Sequence, residues 1–187
     1  LKTVQNLKSK GKEITAGTSM HHLIFEEKDI GNYRTFFKIN PPLRSHHDKQ
    51  VLLNTINDDS IDTISSFHLP QDEESKRLPY ELAASGAIGL QTLLPAGLKL
   101  VQGGYLNLPK LFKKISLNPS KLVNSKSGKL SEGCPADLVM FDPNIPFVLD
   151  RFSLLSKSKN TPFDGYELRG KVLRTFVNGI EVYNGGH

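Results

Sequence analysis

The chain has 187 residues, a formal net charge of +5 and one cysteine, and 37% of its residues are hydrophobic. The single cysteine, Cys134, excludes an intrachain disulfide, and no apolar run approaches the ~20 residues of a membrane span. The lysines are dispersed and lack the basic stripe of a nucleic-acid surface. The composition therefore predicts a globular protein of the cytoplasm that binds neither membranes nor nucleic acids.

The length also limits the fold. The chain is long enough for one sizeable core, or a core and a small second domain, but a complete (β/α)8 barrel needs about 250 residues. The first residue is Leu1 rather than Met, and the first segment is typical of the middle of a helix. Both observations favour a fragment of a longer protein, although processing or tag removal also explains a missing Met.

The first third of the sequence predicts two helix–strand steps. A helix over 1–10 ends at a glycine, and a strand within 12–19 runs into a polar loop. Prolines keep most of 36–44 extended. A helix then follows Ser45 as N-cap, and a second strand covers 61–66. Repeated helix–strand steps are typical of α/β folds.

The next segment predicts more helix and then a boundary. Residues 72–77 predict a charged, exposed loop, and the apolar stretch 83–100 predicts a buried helix. Two further short helices are expected over 108–115 and 119–123. The stretch 125–133 is rich in Ser, Gly and Lys, which is typical of a junction. We therefore divide the chain into domains 1–124 and 125–187.

After this junction the pattern changes to strands. Residues 136–142 predict one strand. Two more strands, 166–177 and 180–183, flank Asn178-Gly179, which is a two-residue hairpin signal. The C-terminal segment is therefore expected to contain an antiparallel strand pair.

The stretch Ile61–Gln71 resembles the last barrel strand of the dihydroorotases, which are members of the amidohydrolase superfamily. In the family this strand ends in Asp-His-Ala-Pro-His, whereas here the first and last of these positions are Phe67 and Gln71. The segment Asn40–Arg44 reads Asn-Pro-Pro-Leu-Arg, identical to a family motif. Other segments that resemble the family, in the family's order, are Ala16–Leu23, Gly86–Thr92, Gly128–Gly133 with Ala136–Val139, and Ser156–Phe163.

The resemblance implies a fold and a chemistry. The fold is the C-terminal portion of a (β/α)8 TIM barrel, with its last two strands and their helices, plus part of a small outer β-domain. The family's reaction is the zinc-assisted hydrolysis or closure of a cyclic amide, between dihydroorotate and carbamoyl-aspartate. Every metal ligand except the Asp of the eighth strand comes from strands that precede this chain. Because Phe67 stands at that Asp position, the resemblance implies no catalytic residue and no filled metal-ligand position here.

The residues that the resemblance assigns to the substrate are retained in part. Asn40 matches an asparagine that contacts the pyrimidine ring, and Arg44 lies in the same motif. Gln71 stands where a histidine contacts the substrate carboxylate, and its amide can donate a hydrogen bond without charge. We therefore predict Asn40, Arg44 and Gln71 as substrate-binding residues.

His68 and His21 are the remaining candidates for a metal ligand. A lone histidine binds metal weakly, so a packed, hydrogen-bonded role is favoured for His68. Adjacent histidines on a strand point to opposite faces, so a loop role or a buried polar contact below the active site is favoured for His21 and His22. His46 and His47 are expected to face solvent. No zinc is expected to bind this segment by itself.

The sequence supports three functional hypotheses. The leading one is a catalytically defective dihydroorotase relative that is an assembly partner of aspartate carbamoyltransferase, as inactive homologues are in some bacteria. The alternative is an active zinc-dependent amidohydrolase whose ligands come from an N-terminal half, with His68 or water in place of the Asp. The third is a sensor that holds a pyrimidine through Asn40 and Arg44. In each case the apolar barrel edges need a cover, from the rest of the barrel, a partner chain or self-association.

Overall fold

Two short parallel strands define the first part of the fold. The computed structural model describes residues 1–58 and 60–185. Strand β1 (Gly17–Ser19) pairs in parallel with β2 (Thr63–Ser65). Parallel neighbours need a crossover connection, and the chain between them supplies one that contains helices. The predicted alternation of helix and strand is thus present, with strands shorter than the predicted 12–19 and 61–66.

Helices flank this strand pair. Helix α1 (Lys2–Ser9) and helix α3 (His46–Thr55) occupy the predicted helical segments. Ser45 is the N-cap of α3, and its Oγ accepts a hydrogen bond from the Asp48 N–H at 3.2 Å. The predicted polar loop after β1 is wrong, because Met20–Ile24 form helix α2, capped by the last residue of β1.

The connection from α2 to α3 contains two 3₁₀ helices, Glu27–Ile30 and Thr35–Phe37. The first residues of the stretch predicted as extended, 36–44, therefore belong to a helical turn. The prolines that follow belong to neither a helix nor a strand, because proline lacks the N–H that the hydrogen bonds of helices and sheets require. The loop that carries Asn40 thus begins directly after a 3₁₀ turn.

Asp62 fixes the start of β2. Its carboxylate accepts hydrogen bonds from Lys8 Nζ at 2.7 Å and from the Ala16 N–H at 2.8 Å. The two charged side chains are 23% and 22% exposed, so solvent screens part of their attraction. The contact therefore joins α1, the residue before β1 and the residue before β2.

The segment after β2 differs from the prediction. The predicted charged loop contains helix α4 (Glu73–Arg77), and the helix predicted from residue 83 is α5 (Leu93–Gln102), which begins later. Gly89 shows the reason, because a Cβ there would lie 2.1 Å from the backbone oxygen of Ser66. The chain is packed flat against the end of β2 at this point, and that close approach excludes a helix.

A nearly continuous helical run follows. Helix α6 (Leu108–Phe112) and helix α7 (Asn118–Leu122) match the two predicted short helices and are joined by a π-helical turn, Lys113–Leu117. The buried Lys114 in this turn donates hydrogen bonds to the carbonyl groups of Asp58 and Ile61. The run therefore supports the loop that leads into β2. None of the helices in the described chain is long and apolar enough to cross a membrane.

An antiparallel sheet forms the C-terminal part. Its order is β3 (Leu138–Val148), β4 (Glu167–Val177) and β5 (Ile180–Asn184). Asn178 and Gly179 have φ angles of 49° and 78°, the left-handed values that a type I′ hairpin turn requires. The predicted hairpin is therefore confirmed, and the strand predicted at 136–142 is longer than expected. A 3₁₀ turn, Arg151–Ser153, begins the connection from β3 to β4.

No helix or strand of the described chain lies between α7 and β3, where the domain boundary was placed. The sheet nevertheless packs on helix α5. A Cβ at Gly170 of β4 would lie 2.2 Å from Cδ1 of Leu98 in that helix, so a glycine at this position permits the close contact. The division into 1–124 and 125–187 stays a prediction.

Aromatic side chains join these parts. The ring of Phe25 lies 4.7 Å from that of Phe163, 5.1 Å from that of Phe37 and 5.3 Å from that of Tyr166, measured between centroids. Phe25 and Phe163 are almost fully buried, and the burial of each contributes on the order of 2 kcal/mol. The cluster therefore connects the α2 segment to the chain just before β4.

Candidate functional site

Phe67 is the second residue after β2, at the position where the resemblance expects a metal-binding Asp. Its φ of 50° places it in the left-handed region, which bulky residues seldom adopt and in which Asp and Asn are several-fold enriched. Its ring meets the imidazole of His22 edge-on, with 6.3 Å between the centroids. The backbone here has a conformation that suits Asp, while the side chain contributes only an apolar ring.

His22 connects β1 to the proline loop. Its Nε2 lies 3.1 Å from the Pro41 carbonyl oxygen, and its Nδ1 lies 2.6 Å from Ser19 Oγ. A carbonyl oxygen can only accept, so Nε2 carries the proton and Nδ1 accepts from the serine hydroxyl. Burial lowers the pKa of His22 below its usual value, the carbonyl groups oppose this, and the nearby Arg44 charge lowers it further.

His68 faces the loop that begins α5. Its Nδ1 accepts hydrogen bonds from the N–H groups of Gly89 at 3.1 Å and Leu90 at 3.4 Å. Two backbone donors thus use the lone pair of this nitrogen, and the ring proton is on Nε2. The ring is held as a packed, hydrogen-bonded histidine.

His21 is buried against aromatic side chains. It is 1% exposed, and neither ring nitrogen has a hydrogen-bond partner in the described chain. Its ring lies 6.4 Å from that of Phe25 and 5.9 Å from that of Phe163. Burial lowers its pKa to about 4, and the charges of His22 and His68 add to this, while the Ile88 backbone opposes it. His21 is thus buried among mainly aromatic side chains, and the role predicted for it stays a prediction.

The predicted substrate-binding residues fall into two groups. Asn40 and Arg44 are exposed and flank the prolines beside His22, close to Phe67. Gln71 lies in the loop after β2, and its Nε2 donates a hydrogen bond to the Ser85 carbonyl at 3.0 Å. The amide of Gln71 is thus held by the backbone, and the assignment of all three residues to substrate stays a prediction.

Lys76 was missed by the sequence analysis. It is 4% exposed, and its Nζ donates hydrogen bonds to the carbonyl groups of Ala84 at 2.8 Å, Gly86 at 3.0 Å and Lys38 at 3.4 Å. Burial, with repulsion from Lys38, lowers its pKa to about 8. Lys76 therefore links the loop before Asn40 to the loop that holds Gln71. No signal distinguishes it within a run of charged residues.

These residues do not fit a metal centre. Among the side chains of residues 1–58 and 60–185, no three His, Cys, Asp or Glu groups lie close enough together to hold an ion. Phe67 has no lone pair, and His68 has one nitrogen occupied by backbone donors. That this segment binds no zinc by itself stays a prediction.

Comparison with known proteins identifies the family. Residues 48–182 match the model of the Amidohydrolase family. The chain is 38% identical over 183 residues to the dihydroorotase of Aquifex aeolicus and 35% identical over 183 residues to that of Ehrlichia canis, with 98% of the chain aligned in both. The alignments span 43% and 41% of those relatives. The L-hydantoinase (dihydropyrimidinase) of Arthrobacter aurescens has the same fold, with a TM-score of 0.94, 29% identity and coverage of 100% of this chain and 43% of that one.

The chain belongs to the amidohydrolase family. Within that family it is similar to the dihydroorotases, and it spans less than half of their length. The family resemblance read from the motifs is therefore confirmed. The predicted fold class, the C-terminal part of an amidohydrolase barrel with a small β-structure, is also confirmed.

The buried His21 predicts a loss of stability in acid. Its pKa is about 4 in the folded chain and 6.5 when exposed, so the unfolded state takes up the proton first as the pH falls. Preferential protonation of His21 in the unfolded state has no effect above about pH 7.5. At about pH 5 it lowers the free energy of unfolding by about 2 kcal/mol. Urea denaturation at these two pH values measures it.

The control for this prediction is the exposed His47. His21→Leu is expected to reduce the pH dependence between these two pH values by about 2 kcal/mol, whereas the His47→Leu variant retains the contribution of His21. An equal pH dependence in the wild type and in His21→Leu contradicts the assignment.

The left-handed backbone at Phe67 predicts an unusual order of stabilities. Phe67→Asn is expected to be more stable than Phe67→Leu by about 1 kcal/mol, since the left-handed conformation costs Leu more than Asn. Both variants remove the ring, so its loss largely cancels. Chemical denaturation measures the difference, with the same pair of substitutions at the exposed Phe152, which has no positive φ, as control. A more stable Leu variant at position 67 contradicts the argument.

Proposed function

We propose that the protein carrying this chain is a dihydroorotase relative without dihydroorotase activity, which acts as an assembly partner of aspartate carbamoyltransferase in pyrimidine biosynthesis. The observation that carries the proposal is Phe67 at the position of the family's eighth-strand Asp. The chain spans 41% of one dihydroorotase and 43% of another, so the activity of the whole protein is part of the proposal. A cytoplasmic location stays a prediction.

The chemistry at Phe67 supports the loss of activity. In the family the Asp binds the metal and transfers a proton, and both tasks require carboxylate oxygens. A phenyl ring has no lone pair for a metal and no exchangeable proton. Its neighbours do not compensate, because His68 binds backbone N–H groups and His21 is enclosed by aromatic rings.

The backbone conformation at Phe67 supports the loss of a single metal-binding side chain rather than a metal site rebuilt from other residues. Amidohydrolases are generally metal-dependent, yet no group of ligands is assembled in the described part of this chain. The φ of 50° at Phe67 is costly for Phe and mild for Asp. A protein released from catalysis can lose a metal ligand while its packing still maintains the main chain. We therefore assign no catalytic step to these residues.

Exposed apolar side chains support assembly with another chain. Strands β1 and β2 pair only with each other within the described residues, which leaves unpaired backbone groups on both sides. Leu69, Leu82 and Leu90, in the loops after β2, are 47%, 71% and 63% exposed. Such groups need a cover, from the rest of the barrel, a second copy or a partner subunit, and we propose the carbamoyltransferase as that partner.

Two alternatives keep specific support. The relatives are named dihydroorotases, so an active enzyme with zinc ligands from outside this chain is the second candidate. The exposed Asn40 and Arg44 also leave a pyrimidine-binding role open. Calorimetry with orotate tests that role, and no heat at millimolar ligand counts against it.

The experiment combines an activity assay with a binding assay. The protein, supplied with zinc, is expected to hydrolyse no dihydroorotate, because no group at position 67 can bind the metal. Purified aspartate carbamoyltransferase is expected to co-elute with it in size-exclusion chromatography. Hydrolysis by the wild type at an ordinary enzymatic rate contradicts the proposal of inactivity.

Phe67→Asp is the control for both assays. It retains co-elution, because the position lies outside the exposed leucines that suggest the contact. Activity that appears only in this variant shows that Phe67 alone blocks catalysis. Separate elution of the wild type and the carbamoyltransferase contradicts the assembly role and leaves the loss of activity standing.

A further inference from the structure

A cleft of about 550 Å³ opens beside Gln71, between α4 and the connection from β3 to β4. We call it the basic cleft, because its lining contains Lys76, Arg77, Arg151, Lys157 and Lys159. Two acidic residues, Asp72 and Glu73, also line it. Five cations against two anions leave a net charge of +3 in the lining. Of the three predicted substrate-binding residues, Gln71 lines the basic cleft, whereas Asn40 and Arg44 do not.

Hydrogen bonds of a buried asparagine hold the floor of the basic cleft. Asn160 is 3% exposed, its Nδ2 donates to the Gly86 carbonyl at 3.1 Å, and its Oδ1 accepts from the Gln71 N–H at 3.3 Å. These bonds hold the two walls together. The ammonium of Lys76 is bound there by carbonyl oxygens, which satisfy its hydrogens without neutralising its charge.

The remaining cations differ in their availability. Arg77 forms ion pairs with Glu73 at 2.7 Å and Glu74 at 3.2 Å, so its guanidinium already has two carboxylate partners. Lys159 Nζ donates to the Leu154 carbonyl at 2.5 Å, and Lys157 is exposed. Within the described residues, no carboxylate pairs with either lysine. Both ammonium groups therefore remain available to an anion.

Arg151 adds an aromatic component. Its guanidinium lies over the rings of Phe152 at 4.6 Å and Phe36 at 5.2 Å and stands 3.7 Å from the Asp164 carboxylate. This arrangement holds the arginine at the wall of the basic cleft. The Phe152 ring is 67% exposed, so it also offers an apolar surface on which a planar group can stack.

We propose that the basic cleft binds a small molecule that joins two or more phosphate groups to a planar ring through a linker, as the ribose of a nucleoside diphosphate joins its phosphates to the base. Lys157 and Lys159 provide the charge for the phosphates, and the field of Lys76 adds to it. Phe152 stacks on the ring. The proposal is independent of dihydroorotase activity and of the carbamoyltransferase.

Calorimetry with inorganic pyrophosphate tests the phosphate part. The variant K157Q/K159Q is expected to weaken binding at least tenfold, about 1.4 kcal/mol. The control K126Q/K129Q changes the net charge equally at exposed lysines outside the basic cleft and is expected to stay within twofold. Equal weakening in both variants, or no heat from the wild type at millimolar pyrophosphate, overturns the proposal.

Adenosine diphosphate tests the aromatic part in the same assay. It is expected to bind several-fold more tightly than pyrophosphate, and F152L is expected to remove this advantage while leaving pyrophosphate binding unchanged. Equal affinity of the wild type for the two probes overturns the role of Phe152.

Discussion

One buried ammonium group joins the loops that surround the candidate site. Lys76 donates hydrogen bonds to carbonyl groups on both sides, Lys38 on one side and Ala84 and Gly86 on the other. Without it the Ala84 carbonyl would lose this hydrogen bond, at a cost of roughly 1–3 kcal/mol for an unsatisfied buried group. The Lys38 carbonyl, in contrast, still accepts from the Gly86 N–H, and the Gly86 carbonyl from Asn160. The loops around Asn40 and Gln71 and the floor of the basic cleft therefore share this cation as one of several connections. That cation also supplies positive charge to the cleft.

Phe67 shows how the fold and the chemistry of a site can separate. The φ of Phe67 is 50°, and the residue before it packs against Gly89, where a Cβ would lie 2.1 Å from the Ser66 backbone oxygen. These contacts come from backbone atoms, so they persist when the side chain changes. We propose that the carboxylate of a metal ligand has been lost at this position. The fold of the segment is that of the family.

Local signals in the sequence predicted the elements that local contacts determine. The Asn178-Gly179 turn and the Ser45 cap depend on their own residues, and both are found as predicted. The helix predicted from residue 83 fails because Gly89 must approach the backbone of Ser66, which lies far away in the sequence. The burial of Lys76 was missed for the same reason, since only tertiary packing shows that its ammonium lies among carbonyl groups. The family motifs supplied what local patterns could not, the order of the elements within a larger barrel.

The zinc content of the protein tests the central claim that the end of β2 supplies no metal ligand. The wild type and His68→Ala would be dialysed against micromolar zinc, and the bound metal would be measured per chain by mass spectrometry. Our account predicts the same zinc content in both proteins, whatever metal other segments hold. The loss of about one zinc per chain in His68→Ala would contradict it, because His68 would then replace the missing Asp as a ligand.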